Sequence, residues 1–329
     1  MPPPSDRHIE VLVIGAGMSG MAAAADLAGA GKQVRVVDKG RDLGGRMASR
    51  RIGEAVFDHG AQFITARSER FCEITRECGN QGTLQEWCRG FSPGAMGNPR
   101  WRGVPDMTAL PKHLARGIEV CLEKRVESIR CESESWHVTL EGGASIRADA
   151  IILTPPIPQS MALLDSGNFQ MPPDLKSRLS ASSYECCLAV LAVLDGPSGL
   201  SSPGGMAFEE GPVSWLADNQ LKGISPIPCL TIHASPEFSQ QHWDADREEV
   251  AALLLRAIKP WVRSNVIDFQ VHGWRYSKPT QVESEPCMVM NTHPPLVMAG
   301  DAFAGPKVEG AACSGWAAAA VLLDKLLPS

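Results

Sequence analysis

Four consecutive apolar residues, Val11-Leu12-Val13-Ile14, open the patterned part of the chain. A run without polar alternation suits a parallel strand covered on both faces. Met18 to Ala30 is rich in alanine and runs into Gly31, which predicts a tightly packed helix with a glycine stop. Val34-Arg35-Val36-Val37 predicts the next strand, so the chain opens on a βαβ unit. Between Arg67 and Trp101 polarity rises and glycines and prolines accumulate, and this stretch reads as an excursion away from that sheet. Strands are predicted over 120–129, 136–140 and 150–154, the last ended by Pro155-Pro156. A second excursion follows, with a loop-like stretch over 195–205, a strand over 229–234 and a helix from near Asp244. That helix places Val250, Leu253, Leu254, Ala257 and Ile258 on one face, carries acids in its first turn and stops at Pro260. The chain returns with a strand over 296–299 and a small-residue helix from about Gly310 to Leu326.

The 329 residues are 44% hydrophobic and 21% charged, enough for a large core, and the length suggests two lobes. A net charge of −6 gives no basic excess for wrapping a nucleic acid, so no nucleic-acid partner is expected. The ten cysteines are scattered without a C-x-x-C, which predicts reduced thiols and no metal site. No stretch resembles a signal peptide or approaches the roughly 20 apolar residues that span a bilayer. A cytoplasmic location without a membrane partner is the expectation.

Gly15-Ala16-Gly17-Met18-Ser19-Gly20 fits G-x-G-x-x-G between a predicted strand and a predicted helix. In that pattern the glycines permit the tight turn, backbone approach to a pyrophosphate and close helix packing. Asp38, at the end of the second strand, stands where an acid would accept from a ribose hydroxyl pair and repel a 2′-phosphate, favouring FAD or NAD over NADP. Gly44-Gly45-Arg46 suits a loop against the cofactor with a guanidinium offsetting its charge, or a surface turn with a solvated arginine. Phe57-Asp58-His59-Gly60-Ala61-Gln62-Phe63 would bring backbone and the Gln62 amide to an isoalloxazine ring. Near the other end, Val297-Met298-Ala299-Gly300-Asp301 is an apolar strand ending in a carboxylate suited to a ribityl hydroxyl. Val308-Glu309-Gly310-Ala311-Ala312 would open a helix whose positive end faces the flavin N1 and O2 edge; the bland alternative is an ordinary core helix.

Together GAGMSG, GGRM, FDHGAQFIT, AGD and VEGAACSGWAAAA resemble the flavin-containing amine oxidase superfamily. IILTPPIPQ at 151–159, LADNQ at 216–220, CLTIHAS at 229–235 and GWRYSKP at 273–279 follow, more narrowly, the order of its renalase branch in bacterial form. The resemblance implies an α/β fold. It pairs a Rossmann-type FAD-binding domain (1–66, 106–156 and 290–329) with a discontinuous, β-sheet-containing substrate domain (67–105 and 157–289), in the topology shared by amine oxidases and para-hydroxybenzoate hydroxylase. It implies non-covalent FAD, since no cysteine or histidine lies between Asp301 and Val308. Its cofactor-binding candidates are Gly15, Ala16, Gly17, Met18, Ser19, Gly20, Asp38, Lys39, Gly45, Arg46, Ala61, Gln62, Val126, Asp301, Val308, Gly310 and Ala311.

The implied activity is hydride transfer from isomeric dihydro-NAD(P), the 1,2-dihydro form or alternatively the 1,6-dihydro form, to flavin N5. The products are NAD(P)⁺ and, with O2, hydrogen peroxide. Aromatisation drives such a reaction without an obligatory acid or base, so none is assigned. Gln62, Asn219, His233 and Trp274 are the substrate-facing candidates. A flavin-dependent amine oxidase is the main alternative. Against it stand Pro306-Lys307-Val308 where an aromatic would help frame an amine, and a total of two tyrosines. A partner-binding flavoprotein with a structural flavin is the alternative from another class; anaerobic bleaching of the flavin by a reductant separates it from an enzyme.

Overall fold

The computed structural model describes residues 8–92 and 94–326. The chain passes back and forth between two compact units. Within the described residues one comprises 8–45, 111–183 and 279–326, the other 46–92, 94–110 and 184–278.

The first segment is β1 (His8–Ile14), α1 (Met18–Gly29) and β2 (Val34–Val37). The second carries β3 (Ser49–Ile52), β4 (Ala55–Asp58), α2 (Glu69–Asn80), β5 (Leu84–Cys88) and β6 (Arg100–Gly103). A short helix α3 (Ala109–Leu114) leads to β7 (Glu119–Cys121), β8 (Val126–Glu132), β9 (Ser135–Leu140) and β10 (Ser145–Leu153). Helices α4 (Ile157–Ser166) and α5 (Pro173–Ser180) precede β11 (Tyr184–Leu194), β12 (Gly205–Ala207), β13 (Val213–Asp218) and β14 (Cys229–Ala234). Then come α6 (Pro236–Gln241), α7 (Arg247–Ile258) and β15 (Val266–Pro279). The last segment holds β16 (Met288–Thr292), β17 (Pro295–Met298), α8 (Asp301–Ala304) and α9 (Val308–Val321).

In the first unit, β1 lies parallel between β10 and β2, with β17 parallel on the far side of β10. The buried runs at 11–14 of β1 and 295–298 of β17 explain their unbroken apolar sequence: helices cover the sheet. Helices α1 and α9 pack so closely that a Cβ on Gly315 would lie 2.1 Å from Ser19 O. Val11, Val13, Ala23, Ala24, Leu27, Val297, Ala318 and Ala319 belong to one core.

The predicted strand over 120–129 is two strands. Residues 122–125 turn away, with Glu123 at φ 55°, because Glu123 N and Lys124 N donate to Gly40 O (2.9 Å) and Asp38 O (2.8 Å). The polar first excursion contains a helix that glycine content hid: Phe71, Thr75 and Cys78 of α2 are its buried face, at i, i+4 and i+7. The C-terminal helix ends at Val321 and continues as a π-turn over Leu322–Leu326.

The second unit is built on the sheet β12-β13-β14-β11-β15. Val190, Ala192 and Leu194 of β11 share a core with Val250, Ala251, Leu254 and Ile258 of α7, a helix capped by Asp246, which accepts from Glu248 N at 2.9 Å. Leu191 and Val193, alternating with them, pack with Ala55 and Phe57 of the β3–β4 hairpin. That packing assigns 46–66 to this unit rather than to the nucleotide-binding lobe. Residues 157–183 go the other way, because Ser166 Oγ donates to Glu127 O (2.7 Å) and α4 lies against β8.

Candidate functional site

The first unit carries a glycine cradle. Gly15 has φ 108°, and a Cβ there would lie 2.3 Å from Thr154 Oγ1; one on Gly20 would lie 1.9 Å from Gly15 O. Gly17, the middle glycine, instead faces open space, with Gly44 O the nearest atom at 4.0 Å from a built Cβ. This is the side on which a phosphate can reach the N-terminus of α1, whose cap Gly17 offers no side chain to the helix amides. Gly44 N donates to Ala16 O (2.9 Å), and a Cβ on Gly45 would lie 3.4 Å from Gly17 Cα, so the second glycine pair lines the same cradle. Asp38 organises it: Oδ2 accepts from Ala16 N and Oδ1 from Gly40 N, both at 2.6 Å. Lys39 follows in the same turn, its Nζ 3.4 Å from Gln159 Oε1, and Val126 is buried at the start of β8.

At the C-terminal end of β17, Gly300 N donates to Ser314 Oγ (2.8 Å) and Asp301 is buried as the first residue of α8. Helix α9 starts at Val308 without a side-chain cap. Gly310 is pressed onto the preceding turn, where a Cβ would lie 2.2 Å from Gly305 O, and Ala312 is fully buried, whereas Ala311 is partly exposed. The small residues of α9 therefore serve close packing as well as access to its positive end.

The second unit carries a tight loop over 58–62. Asp58 and Lys222 form an ion pair at 2.6 Å with both side chains at 0% exposure. Asp58 Oδ1 also accepts from Ser49 Oγ (2.7 Å) and Met107 N (3.0 Å). Ala61 N donates to Arg46 O (2.8 Å), and only glycine fits at 60, since a Cβ would lie 2.0 Å from that oxygen. Arg46 itself reaches Ser277 O (3.2 Å). Gln62 donates through Nε2 to Asp58 O (2.6 Å) and Gly60 O (3.1 Å), which leaves its buried Oε1 without a partner.

His59, in the same loop, stacks on Trp274 (centroids 5.0 Å apart, 30° between planes) and meets His272 edge-on at 4.8 Å. Its carbonyl accepts from Trp274 Nε1 (2.9 Å) and His233 Nε2 (3.1 Å). Burial holds the His59 pKa down at about 3, helped by the positive charge of Arg50; burial likewise holds His233 and His272 at about 4.

A dinucleotide cofactor fits the groups of the first unit, where the open face of Gly17 and two helix N-termini without side-chain caps offer a pyrophosphate cradle; the second unit by itself carries an unpartnered acceptor in the Gln62 oxygen. The NAD(P)-binding Rossmann-like domain family matches residues 13–77, and the flavin containing amine oxidoreductase family matches residues 95–323. The chain belongs to the flavin-containing amine oxidoreductases. Like them it is a flavin-dependent oxidoreductase with a Rossmann-type domain. Renalase from Mus musculus is 26% identical over 337 positions, covering 95% of this chain and 98% of that protein. Among solved structures, a putrescine oxidase variant superposes with TM-score 0.71 at 16% identity, over 97% of this chain and 99% of the other. A provisionally assigned protoporphyrinogen oxidase from Exiguobacterium sp. 255-15 gives 0.73 at 12% identity, over 95% and 98%. These two likenesses are of fold.

Within this family frame, the four substrate-facing candidates converge on one loop, but by different routes. Gln62 is in it, and Trp274 and His233 bind its backbone. Asn219 is at 0% exposure and donates to Thr231 Oγ1 (3.0 Å), which donates to Asp58 O (3.0 Å), so it buttresses the loop while its own buried Oδ1 has no partner. The residues missed were His59, His272, Asp58 and Lys222. His272 was discoverable, since it sits two residues before Trp274 on β15, on the same face. No group of three or more His, Cys, Asp or Glu is arranged to hold a metal among the described residues, and no described helix is long and apolar enough to cross a membrane. None of the ten cysteines is in a disulfide.

Proposed function

We propose that this chain is an FAD-dependent oxidase of isomeric dihydro-NAD(P), acting on the 1,2-dihydro form in preference to the 1,6-dihydro form and yielding NAD(P)⁺ and, with O2, hydrogen peroxide. The observation that carries this reading is the neutral ring cluster His59–His272–Trp274, with His233 behind it. Imidazoles with pKa values of about 3 to 4 are uncharged and weakly basic at neutral pH. An amine arrives as an ammonium and must lose a proton before oxidation, and Arg50 opposes a cation at these rings. A dihydropyridine arrives neutral, gives up only hydride and becomes aromatic, so a surface of neutral rings that orients it is sufficient.

Bound flavin supplies the hydride acceptor and the route to dioxygen. The chain supplies the rest. Gly17, Gly45 and the start of α1 would receive the pyrophosphate, Asp38 the adenosine ribose and Asp301 the ribityl chain. In the second unit Gln62 Oε1 would accept from the ring edge; in the first, the N-terminal end of α9 at Val308 and Ala311 would favour negative charge on a bound flavin. The Trp274 ring, backed by the buried His59 ring stacked on it, would present the face for the nicotinamide. The family membership and the likeness to mouse renalase support this assignment.

The test is anaerobic mixing of the holoenzyme with each of the three dihydro-NAD(P) isomers and a panel of biogenic amines. Fast flavin reduction by the 1,2-dihydro isomer is expected, and faster reduction by any amine restores the amine oxidase reading. Acid precipitation is expected to release intact FAD into the supernatant.

A further inference from the structure

The hairpin β3–β4 carries a guanidinium to the end of the ring cluster. Arg50 stands opposite Phe57 in that hairpin, and Phe57 packs with Leu191 and Val193 of β11. Residues directly opposite in an antiparallel pair share a face, so Arg50 points to the side of the sheet on which Phe57 lies. There its Nη1 reaches Gln270 Oε1 at 3.4 Å, on β15, the neighbour of β11. Gln270, His272 and Trp274 follow at i, i+2 and i+4 along one face of that strand. The guanidinium therefore ends the row in which His272 and Trp274 meet at 4.4 Å, with His59 stacked on Trp274.

Among the described residues Arg50 has no carboxylate partner; its hydrogen bond is a long one to a neutral amide, which leaves most of the fork unused. The carboxylate beside the cluster, Asp58, is closed over by Lys222 at 2.6 Å with both side chains at 0% exposure. Arg275 turns to the other face of β15, over Trp243 at 4.8 Å, and Lys278 pairs with Glu185. Asp268, two residues before Gln270, is exposed. Burial is the main reason that His59, His233 and His272 stay neutral, and the fixed charges that act with it are cationic: Arg50 on His59 and His272, Lys222 on His233. A charge without a counter-ion beside neutral rings sets the sign of the potential there, and so sorts ligands by charge before any contact is made. We propose that Arg50 is the specificity-determining residue of the ring cluster, favouring substrates that carry negative charge, as a phosphate-bearing dihydropyridine does, over ammonium compounds. The dihydropyridine rests on the oxidase reading above; the charge preference does not.

The experiment mixes the flavin-loaded holoenzyme anaerobically with three N-benzyl-1,2-dihydronicotinamides whose benzyl group is unsubstituted, carries a carboxylate or carries a trimethylammonium. Wild type, Arg50→Gln, Arg50→Glu and Asp268→Asn are compared at low and high salt. The anionic compound is expected to reduce wild-type flavin about tenfold more efficiently than the cationic one, a ratio that narrows in salt, approaches one in Arg50→Gln and inverts in Arg50→Glu. Asp268→Asn is expected to keep the wild-type ranking. A ratio unchanged in Arg50→Gln overturns the proposal, as does one moved equally far by Asp268→Asn or a loss shared by all three compounds. Nitrogen NMR of the histidine-labelled holoenzyme, with His272→Gln for assignment, supplies a readout without substrate: the His272 midpoint, about 4, is expected to rise in Arg50→Gln. If no dihydropyridine reduces the wild-type flavin, the oxidase reading fails, and the charge preference stands on a raised midpoint or falls on an unchanged one.

Discussion

Asp38 and Asp58 each hold a glycine-containing turn at a candidate ligand surface, one in each unit, but they are satisfied in opposite ways. Asp38 takes two backbone amides from its own neighbourhood, Ala16 and Gly40, and stays partly open. Asp58 is at 0% exposure and takes a lysine ammonium, a serine hydroxyl and a distant amide. A carboxylate that leaves room for a ligand can serve recognition, whereas one closed over by Lys222 can only hold the chain in place. The first turn is therefore built to bind and the second to present its neighbours His59 and Gln62.

The sharpest way to break this contrast is Lys222→Met, which strands a buried carboxylate. It is expected to cost about 3–5 kcal/mol of stability, read as a shifted denaturant midpoint; a shift no larger than that of a surface substitution denies the presenting role. Asp38→Ala is expected to weaken FAD retention by about 1.5–3 kcal/mol while leaving apoprotein unfolding nearly unchanged. Unaltered flavin affinity by ultrafiltration contradicts it.

Acid sharpens the same division. The folded pKa of His59, about 3, lies below the ordinary histidine value, so the unfolded chain takes up the proton first as the pH falls. Its contribution to stability is intact above the ordinary value of about 6.5 and declines below it, by about 2 kcal/mol between pH 6.5 and 5. Thermal unfolding at pH 7 and 5 checks this, and a midpoint independent of pH refutes it. The smallest effect is expected from Trp274→Phe, which keeps a ring but removes the bond to His59 O. A loss of about 1 kcal/mol in transition-state stabilisation, roughly fivefold in kcat/KM with FAD occupancy unchanged, is the expected outcome.

The two turns also differ in how far they could be read from sequence. The Gly15–Gly20 cradle, Asp38 and the strand–helix–strand around them are local in the chain, with Gly20 pressed on Gly15 O and Asp38 accepting from Ala16 N, although the wall against Gly15 is Thr154 of a distant segment. The 58–62 loop depends on Lys222, Thr231, His233 and Trp274, all more than 160 residues downstream, and nothing near Lys222 marks it as a lysine that will be buried. Asn219 and His233 were located by likeness to a family, but their bonds to Thr231 and to the His59 carbonyl were not legible there, because a motif carries position and not the direction a side chain faces. The domain boundary near 46 was obscured for a related reason. The hairpin β3–β4 follows the glycine motif closely, yet its apolar face belongs to Leu191 and Val193.

The packing of α1 against α9 has a consequence for how the protein is made. Ala23, Ala24 and Leu27 of α1 share their core with Ala318, Ala319 and Leu322, and Ser19 O sits under Gly315. The helix that opens the nucleotide cradle thus emerges from the ribosome long before the helix that covers it, and β1 likewise waits for β10 to pair. Contacts so distant in sequence form late and slowly. Through most of its synthesis the nascent chain carries an uncovered apolar helix face, which makes it a natural client for a holding chaperone and places cofactor loading after translation rather than during it.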